Sequence, residues 1–378
     1  MSREPLRVLQ VVSSTDRGGA ETWLLHVLRH VDRREVAMDF LVHDDKPGAY
    51  DAEIASQGAG IFACKGHRNL LRQLNGLRRL QRLHGPYQIV HSHVDYYGGI
   101  VCLLTRLMGV RGRIVHSHNN TRAVDRVASF PRRMYTRSMK LLVRWFSTAG
   151  LGTSGSAAAL MFGDGWSLEP RWKVLPACVD LAPFGGCSDR GRVRGELGIP
   201  DSAIVFGHVG RFVEQKNHEF LIRLAAILVT KEPRARFVLI GTGPTQQLAE
   251  DTIRECGLTD HITIFAPRDD IPRIMLGAFD FFLFPSLYEG LGLALVEAQA
   301  AGLSCFASTA IPPEAIVVPS LVHRFPLAGG PEYWADAILR RIGESRPVTQ
   351  TEALRQVELA FDIRRNAAQL VKFYQAAL

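Results

Sequence analysis

FFLFPSLYEGLGLALVEAQAAGLSCFAS, residues 281–308, opens on an unbroken apolar run, crosses a turn-rich loop, takes up a helical pattern and ends in a second apolar run at 304–307. Strand, helix and strand in that order, with no polar alternation in either strand, is the signature of a βαβ unit in a parallel sheet covered on both faces. Gly290 and Gly292 stand where strand gives way to helix, with Glu289 just before the helix and Glu297 inside it. The glycines clear side chains from the turn, so backbone N–H groups can approach a ligand, and the helix N-terminus favours negative charge. A phosphate-bearing ligand suits those donors, each Glu accepting hydrogen bonds from hydroxyls. A solvated loop and helix start is the plainer reading of the same residues.

The alternation continues outward from this segment. In the second half the pattern predicts strands at 204–209, 236–240, 262–265 and 280–284, and helices at 217–230, 245–256, 271–277 and 292–301. In the first half it predicts strands at 7–12, 38–42, 88–91 and 113–116, and helices at 20–30, 70–83, 98–108 and 131–146. The fold class is therefore α/β. Between the halves, KVLPACVDLAPFGGC (173–187) starts strand-like and then turns rich in Pro and Gly, as a linker does. The expected domains are 1–180 and 181–360, followed by a helical segment at 361–378. A chain of 378 residues suits two domains, and two open α/β domains in succession are expected to leave a cleft facing the carboxyl ends of their strands.

A net charge of +8 favours anionic partners without choosing among them. The six cysteines form no C-x-x-C pair and have no histidines at zinc-ligand spacing, which excludes a disulfide framework or a structural zinc site and suits a reducing, cytoplasmic setting. The lead MSREPLRVLQVVSS lacks the apolar core of a signal peptide. GTGPTQ (241–246) has Gln where a dinucleotide-binding G-x-G-x-x-G needs its last glycine. No Asp-x-Asp occurs to hold a divalent ion on a diphosphate.

Three further motifs sit at strand ends. HVGRFVEQKNHEFLIRLAAIL (208–228) delivers Arg211 and Lys216 from a strand end into the loop before a helix, a plausible diphosphate clamp or simply a pair of solvated cations. RVLQVV (7–12) runs into SSTDRGGAETWLL (13–25), where Gly18 and Gly19 precede a helix and allow a tight turn with close backbone approach. IVHSHVD (89–95) and IVHSHNN (114–120) put His91 with His93, and His116 with His118, on alternate strand positions; the spacing shows no third ligand, which argues against a metal site. Residues 122–146 carry seven Lys or Arg against one Asp, interleaved with aromatic and aliphatic side chains. That segment suits an anionic lipid surface and equally a solvated helix face. No nucleic-acid recognition motif accompanies it.

Glu289 and Glu297 across E-G-L-G-L, with the glycine loop, the His-bearing strand end and the G-R-x-x-x-x-K-N segment in that order, resemble the large family of retaining GT-B glycosyltransferases (group 1, family 4) that includes bacterial capsule and exopolysaccharide transferases. The resemblance spans nearly the whole chain and implies two Rossmann-like domains and a terminal helix crossing back onto the first. It implies catalytic roles for His118, Glu289, Arg211 and Lys216. It implies a donor-binding set of Gly18, Gly19, Arg211, Lys216, Arg268, Glu289, Gly290, Leu291, Gly292 and Glu297, with Glu289 on the transferred sugar, Glu297 on the ribose and Arg211 with Lys216 on the diphosphate. His93 falls on the acceptor side. The implied substrates are a nucleotide-sugar, UDP by family habit, and a glycan or lipid-linked acceptor, with no metal or other cofactor; contact at the cytoplasmic membrane face through 122–146 is instead one of the two readings of that segment's basic, amphipathic composition. Where many relatives have Asn-Gly-x-Asp, this chain has Ala177, Cys178, Val179 and Asp180. Two alternatives keep the architecture: a nucleotide-sugar epimerase, and a non-catalytic sugar-nucleotide-binding subunit of a polysaccharide assembly complex.

Overall fold

The computed structural model describes residues 4–43, 46–64, 69–344 and 347–378. The chain divides into two compact units, Met1–Val179 together with Ile363–Leu378, and Asp180–Asp362.

The first unit is built on a parallel sheet of β1 (Leu6–Val11), β2 (Val36–Val42), β3 (Ile61–Ala63), β4 (Ile89–Ser92), β5 (Gly112–Ser117), β6 (Ala149–Gly152) and β7 (Trp172–Val174), in the order β3-β2-β1-β4-β5-β6-β7. The chain builds outward from β1 to one edge, then returns to β4 and builds to the other. The order therefore reverses between β1 and β4, the place where open parallel sheets leave room for ligands at their carboxyl edge. The helix Ile363–Ala376 joins this unit from the far end of the sequence. Asn366 fastens it, accepting from Trp23 Nε1 at 2.7 Å and donating to the Pro176 carbonyl at 2.8 Å.

The second unit repeats the scheme with β8 (Ile204–Val209), β9 (Ala235–Ile240), β10 (Ile262–Phe265), β11 (Phe281–Phe284), β12 (Ser304–Ser308) and β13 (Val322–Phe325), all parallel, in the order β10-β9-β8-β11-β12-β13. Its order reverses between β8 and β11. Phe206, Phe237, Leu239, Leu283 and Phe306 are fully buried on these strands, as runs apolar on both faces require.

Strands β3, β6 and β13 escape the sequence pattern, while β7 overlaps the strand-like start of the segment expected to be a linker. Ala149–Gly152 reads AGLG, with no β-branched residue to mark it. Its place is set by packing: a Cβ on Gly150 would lie 2.5 Å from the Phe162 ring, and one on Gly152 would lie 2.6 Å from the Ala158 nitrogen. The helix Phe130–Phe146 and the preceding turn Arg122–Val127 cover the segment 122–146. No described helix is long and apolar enough to cross a membrane.

Candidate functional site

The motif residues of the second unit gather at its reversal point. Beyond β8 the chain passes Gly210 and exposed Arg211, makes one short turn at Glu214–Lys216, and starts the helix His218–Lys231. Asn217 makes the junction in the left-handed region, φ 57° and ψ 48°, which Asn tolerates better than most residues. Beyond β11 the loop carries Glu289, and Gly292 caps the helix Leu293–Ala300 at φ 96°, a conformation that favours glycine. A side chain there would also press against Phe284, 3.0 Å from its ring.

The two loops are stitched together. Leu287 N donates to the Gln215 carbonyl at 2.8 Å, Gln215 Nε2 to the Tyr288 carbonyl at 3.0 Å, and Asn217 Nδ2 to the Pro285 carbonyl at 3.2 Å. On this frame Lys216 Nζ reaches Glu289 Oε1 at 2.5 Å while Gln215 Nε2 donates to Glu289 Oε2 at 3.2 Å. Glu289 is buried, and the Lys216 ammonium sits 4.8 Å from the Phe284 ring centroid. A shielded ion pair at the open end of a parallel sheet, beside a helix N-terminus, is suited to an anionic ligand bearing hydroxyls. Gln215 was not singled out from the sequence and Asn217 entered only as the last letter of the K-N motif; the signal for Gln215 was its place in the loop that also holds Lys216.

The other residues expected here are distributed differently. Arg211 makes no ion pair among the described residues and projects into solvent. Arg268 is turned onto Asp270 through Nε–Oδ1 at 2.7 Å and Nη2–Oδ2 at 3.0 Å, and Arg273 holds the same carboxylate at 2.9 Å. These two arginines hold the Asp270 carboxyl at about 2. Leu291 is buried and Gly290 lies beside it, so this stretch offers backbone more than side chain. Glu297, half-buried inside the helix, has its carboxyl pushed up to about 7 by desolvation.

In the first unit Gly18 caps the helix Gly19–His30 in extended conformation without a side-chain cap, and a Cβ on Gly19 would meet open space. Sheet register does what the sequence spacing could not. Because His91 pairs with Ile114 in neighbouring strands, His93 falls beside His116, and all four histidines lie together. His91, His93 and His116 present nitrogens within 4.8 Å of one another, so the third ligand absent from the spacing exists in space. Both nitrogens of His93 are already engaged, with His118 Nε2 at 2.8 Å and Gln10 Oε1 at 2.9 Å.

The chain of hydrogen bonds continues from Gln10 Nε2 to the Tyr374 hydroxyl at 2.9 Å, and that hydroxyl lies 2.8 Å from His91 Nδ1. With the Gln10 amide in this orientation, His93 Nε2 donates and its Nδ1 accepts from His118 Nε2–H. Burial lowers all four imidazoles, His118 to about 3, so the cluster is neutral near pH 7 and His118 offers hydrogen bonds rather than a proton. His93, expected on the acceptor side, is buried and hydrogen-bonded to His118. Asp95, at the end of IVHSHVD, accepts from Asn119 Nδ2 at 3.5 Å and joins the two strand-end loops. Removing the Tyr374 hydroxyl as Tyr374→Phe would leave buried Gln10 Nε2 and His91 Nδ1 without this partner. Urea unfolding is expected to show a loss of about 1–3 kcal/mol; unchanged stability would mean the chain of hydrogen bonds is idle.

Residues 189–344 match the family described as glycosyl transferases group 1, and residues 18–177 match a glycosyl transferase 4-like domain. The chain is 34% identical over 379 residues to a putative glycosyltransferase, EpsF, of Bacillus subtilis, covering 99% of this chain and 97% of that protein. It is 29% identical over 254 residues, 64% of this chain and 63% of the other, to the Escherichia coli UDP-Gal:alpha-D-GlcNAc-diphosphoundecaprenol alpha-1,3-galactosyltransferase. Among solved structures, Anabaena Alr3699/HepE in complex with UDP-glucose superposes with a TM-score of 0.81 at 19% identity, covering 98% of this chain and 100% of the other.

Proposed function

Since the chain belongs to the group 1 glycosyltransferases, we propose that it moves a sugar from a UDP-sugar to a glycan or lipid-linked acceptor in surface polysaccharide synthesis, with retention and without a metal. The observation that carries this reading is the Lys216–Glu289 pair, shielded and braced by Gln215 at the reversal point of the second sheet. Lys216 and exposed Arg211 are the cations proposed to take the diphosphate; Glu289 is proposed to accept from hydroxyls of the transferred sugar. The names of relatives support the rest: a UDP-sugar donor and a diphosphoundecaprenol-linked acceptor for one, a UDP-glucose complex for another.

In the proposed reaction the acceptor oxygen bonds to the anomeric carbon on the face from which the diphosphate leaves. The carbon–oxygen bond to phosphate breaks with its electron pair, and the acceptor proton passes to the departing phosphate oxygen. Fixed cations stabilise that growing charge, which removes the need for a divalent ion. Neutral His118 serves the sugar hydroxyls, with Gly18 and Gly19 assigned to backbone contact in the first unit and Gly290, Leu291 and Gly292 to backbone contact in the second. Arg268 is assigned to the base side and Glu297 to the ribose.

The test is transfer from UDP-sugars to lipid-linked acceptors in chelator, with the product's anomeric configuration read by NMR. A retained linkage supports the proposal, an inverted one overturns retention, and loss of turnover in chelator overturns metal independence. An isomerised donor formed without acceptor would indicate an epimerase.

Glu297 adds a pH dependence. Its carboxyl titrates near 7 in the folded protein against an ordinary 4.5. Within that window the folded chain keeps a proton that the unfolded chain has lost, so this group's contribution to stability declines as pH rises. Ribose hydroxyls donate to the ionised form and favour it. UDP affinity measured by calorimetry should therefore rise from about pH 5 to about pH 8, whereas Glu297→Gln should bind more weakly with a shallower rise, the remainder coming from the terminal phosphate of UDP, which ionises at about pH 6. A native profile parallel to the variant's would remove Glu297 from the nucleotide site.

A further inference from the structure

The helix Phe130–Phe146 buries Thr136, Met139 and Val143. Its other face exposes Phe130 (67%), Met134 (47%), Leu141 (41%) and Trp145 (68%). At 100° per residue, positions 130, 134, 141 and 145 fall within an arc of about 60°, a single apolar stripe turned to solvent. Arg133, Arg137, Lys140 and Arg144 follow one flank of that stripe at the same spacing. Of the seventeen large apolar side chains exposed among the described residues, seven lie between positions 124 and 145. Scattered exposed apolar residues need no explanation; this concentration does.

The charge on the flank is largely unspent. Arg133 and Arg137 make no ion pair among the described residues, while Arg144 reaches Glu169 at 3.2 Å. The only carboxylate in the segment, Asp125, is turned inward onto the Tyr96 and Thr121 hydroxyls. Beside the flank lies a cavity of about 350 Å³, with Arg137, Lys140 and Arg144 at its rim and Met161, Phe162 and Trp172 among its walls. Burial lowers the Lys140 ammonium from its ordinary value, so an arriving anion would be met by a partly desolvated cation.

We propose that the helix Phe130–Phe146 lies on an anionic phospholipid surface, with the stripe of Phe130, Met134, Leu141 and Trp145 in the acyl boundary and a lipid phosphate at the basic cavity. Aromatic rings at the ends of the stripe suit the headgroup level, and cations on its flank suit the negative potential of such a surface. The charge complementarity selects a lipid over a neutral protein partner. It deepens the proposed use of a lipid-borne acceptor by naming the surface on which the enzyme would meet it.

The experiment is flotation of the whole chain with vesicles of pure phosphatidylcholine and of phosphatidylcholine mixed with phosphatidylglycerol. Capture should be at least about tenfold stronger on the anionic vesicles and weaken with salt. The double variant Phe130→Ser with Trp145→Ser, and the double variant Arg133→Glu with Arg137→Glu, should each lose most of it. All four side chains are exposed, so circular dichroism and UDP binding should remain as in the native protein. Vesicle capture needs neither donor nor acceptor, so its loss in variants that still bind UDP separates docking from sugar transfer. Equal capture on neutral vesicles, capture unaffected by both variants, or a dimer abolished by Phe130→Ser with Trp145→Ser would overturn the proposal.

Discussion

Lys216→Ala is expected to lower turnover by about 10²–10³, the usual effect of removing one fixed group that stabilises charge in a transition state. Two losses combine in that variant. On the proposed reading the diphosphate loses a shielded cation, and Glu289, buried and left with Gln215 as its side-chain partner, turns an unbalanced carboxylate toward an anionic leaving group. Lys216→Arg should recover only part of the activity, because the ammonium fits as a compact charge over the Phe284 ring while a planar fork demands a different geometry. Glu289→Gln should impair turnover more than UDP affinity, since its proposed partner is the sugar. The double variant Lys216→Ala with Glu289→Gln should fall short of the summed losses, because the two groups share one interaction. Steady-state kinetics with a competent acceptor reads all four. Lys216→Ala with half the native rate would sink the assignment.

Asp280→Ala should destabilise the second unit by about 3–5 kcal/mol, the cost of breaking a buried pair from one side. Arg194 is completely buried in the helix Arg190–Glu196. Its Nη2 donates to Asp280 Oδ2 at 2.7 Å and to the Ala278 carbonyl at 3.0 Å, while Nη1 donates to the Ala203 carbonyl at 2.9 Å. The same Asp280 oxygen accepts from Val205 N at 2.8 Å, and the other oxygen from Arg190 at 2.7 Å. One carboxylate thus ties the helix to the entrances of β8 and β11, the two strands that carry Lys216 and Glu289 at their far ends. Without it a guanidinium remains in the core with carbonyls alone. Adding Arg194→Met to Asp280→Ala should restore more than half of the loss, since the orphaned charge goes with it. Urea unfolding of the native protein and the two variants decides the matter; equal losses in the single and double variants would show that the charge was never the problem.

The alternation that defines an α/β chain was visible because the central strands are apolar on both faces, and segments such as Ile204–Val209 and Phe281–Phe284 announce themselves. AGLG at Ala149–Gly152 did not, since its extended form is imposed by β5 on one side and by Phe162 and Trp172 above it. Motif spacing placed Lys216 and Glu289 at strand ends. Their contact, across 73 positions of sequence, follows only from β8 lying next to β11. The four histidines show the same limit: two H-x-H pairs are legible, but their convergence depends on strand register. The Tyr374–Gln10 bond, spanning 364 positions, leaves no local trace at all. For residues 122–146 the composition fitted both a lipid surface and a solvated face, and the outward stripe became apparent only once Met139 and Val143 fixed which side is buried.

The return of Ile363–Ala376 to the first unit makes the second unit, topologically, an insertion within the first. During synthesis, residues 1–179 must therefore wait for some 180 intervening residues before Tyr374 and Asn366 arrive to cover Gln10, His91 and Trp23. A chain truncated before that helix would leave Gln10, His91 and Trp23 without these partners. Anyone grafting the second unit between relatives, to test whether it carries donor specificity as proposed, should cut twice, near 180 and near 362, and leave the last helix with its original host.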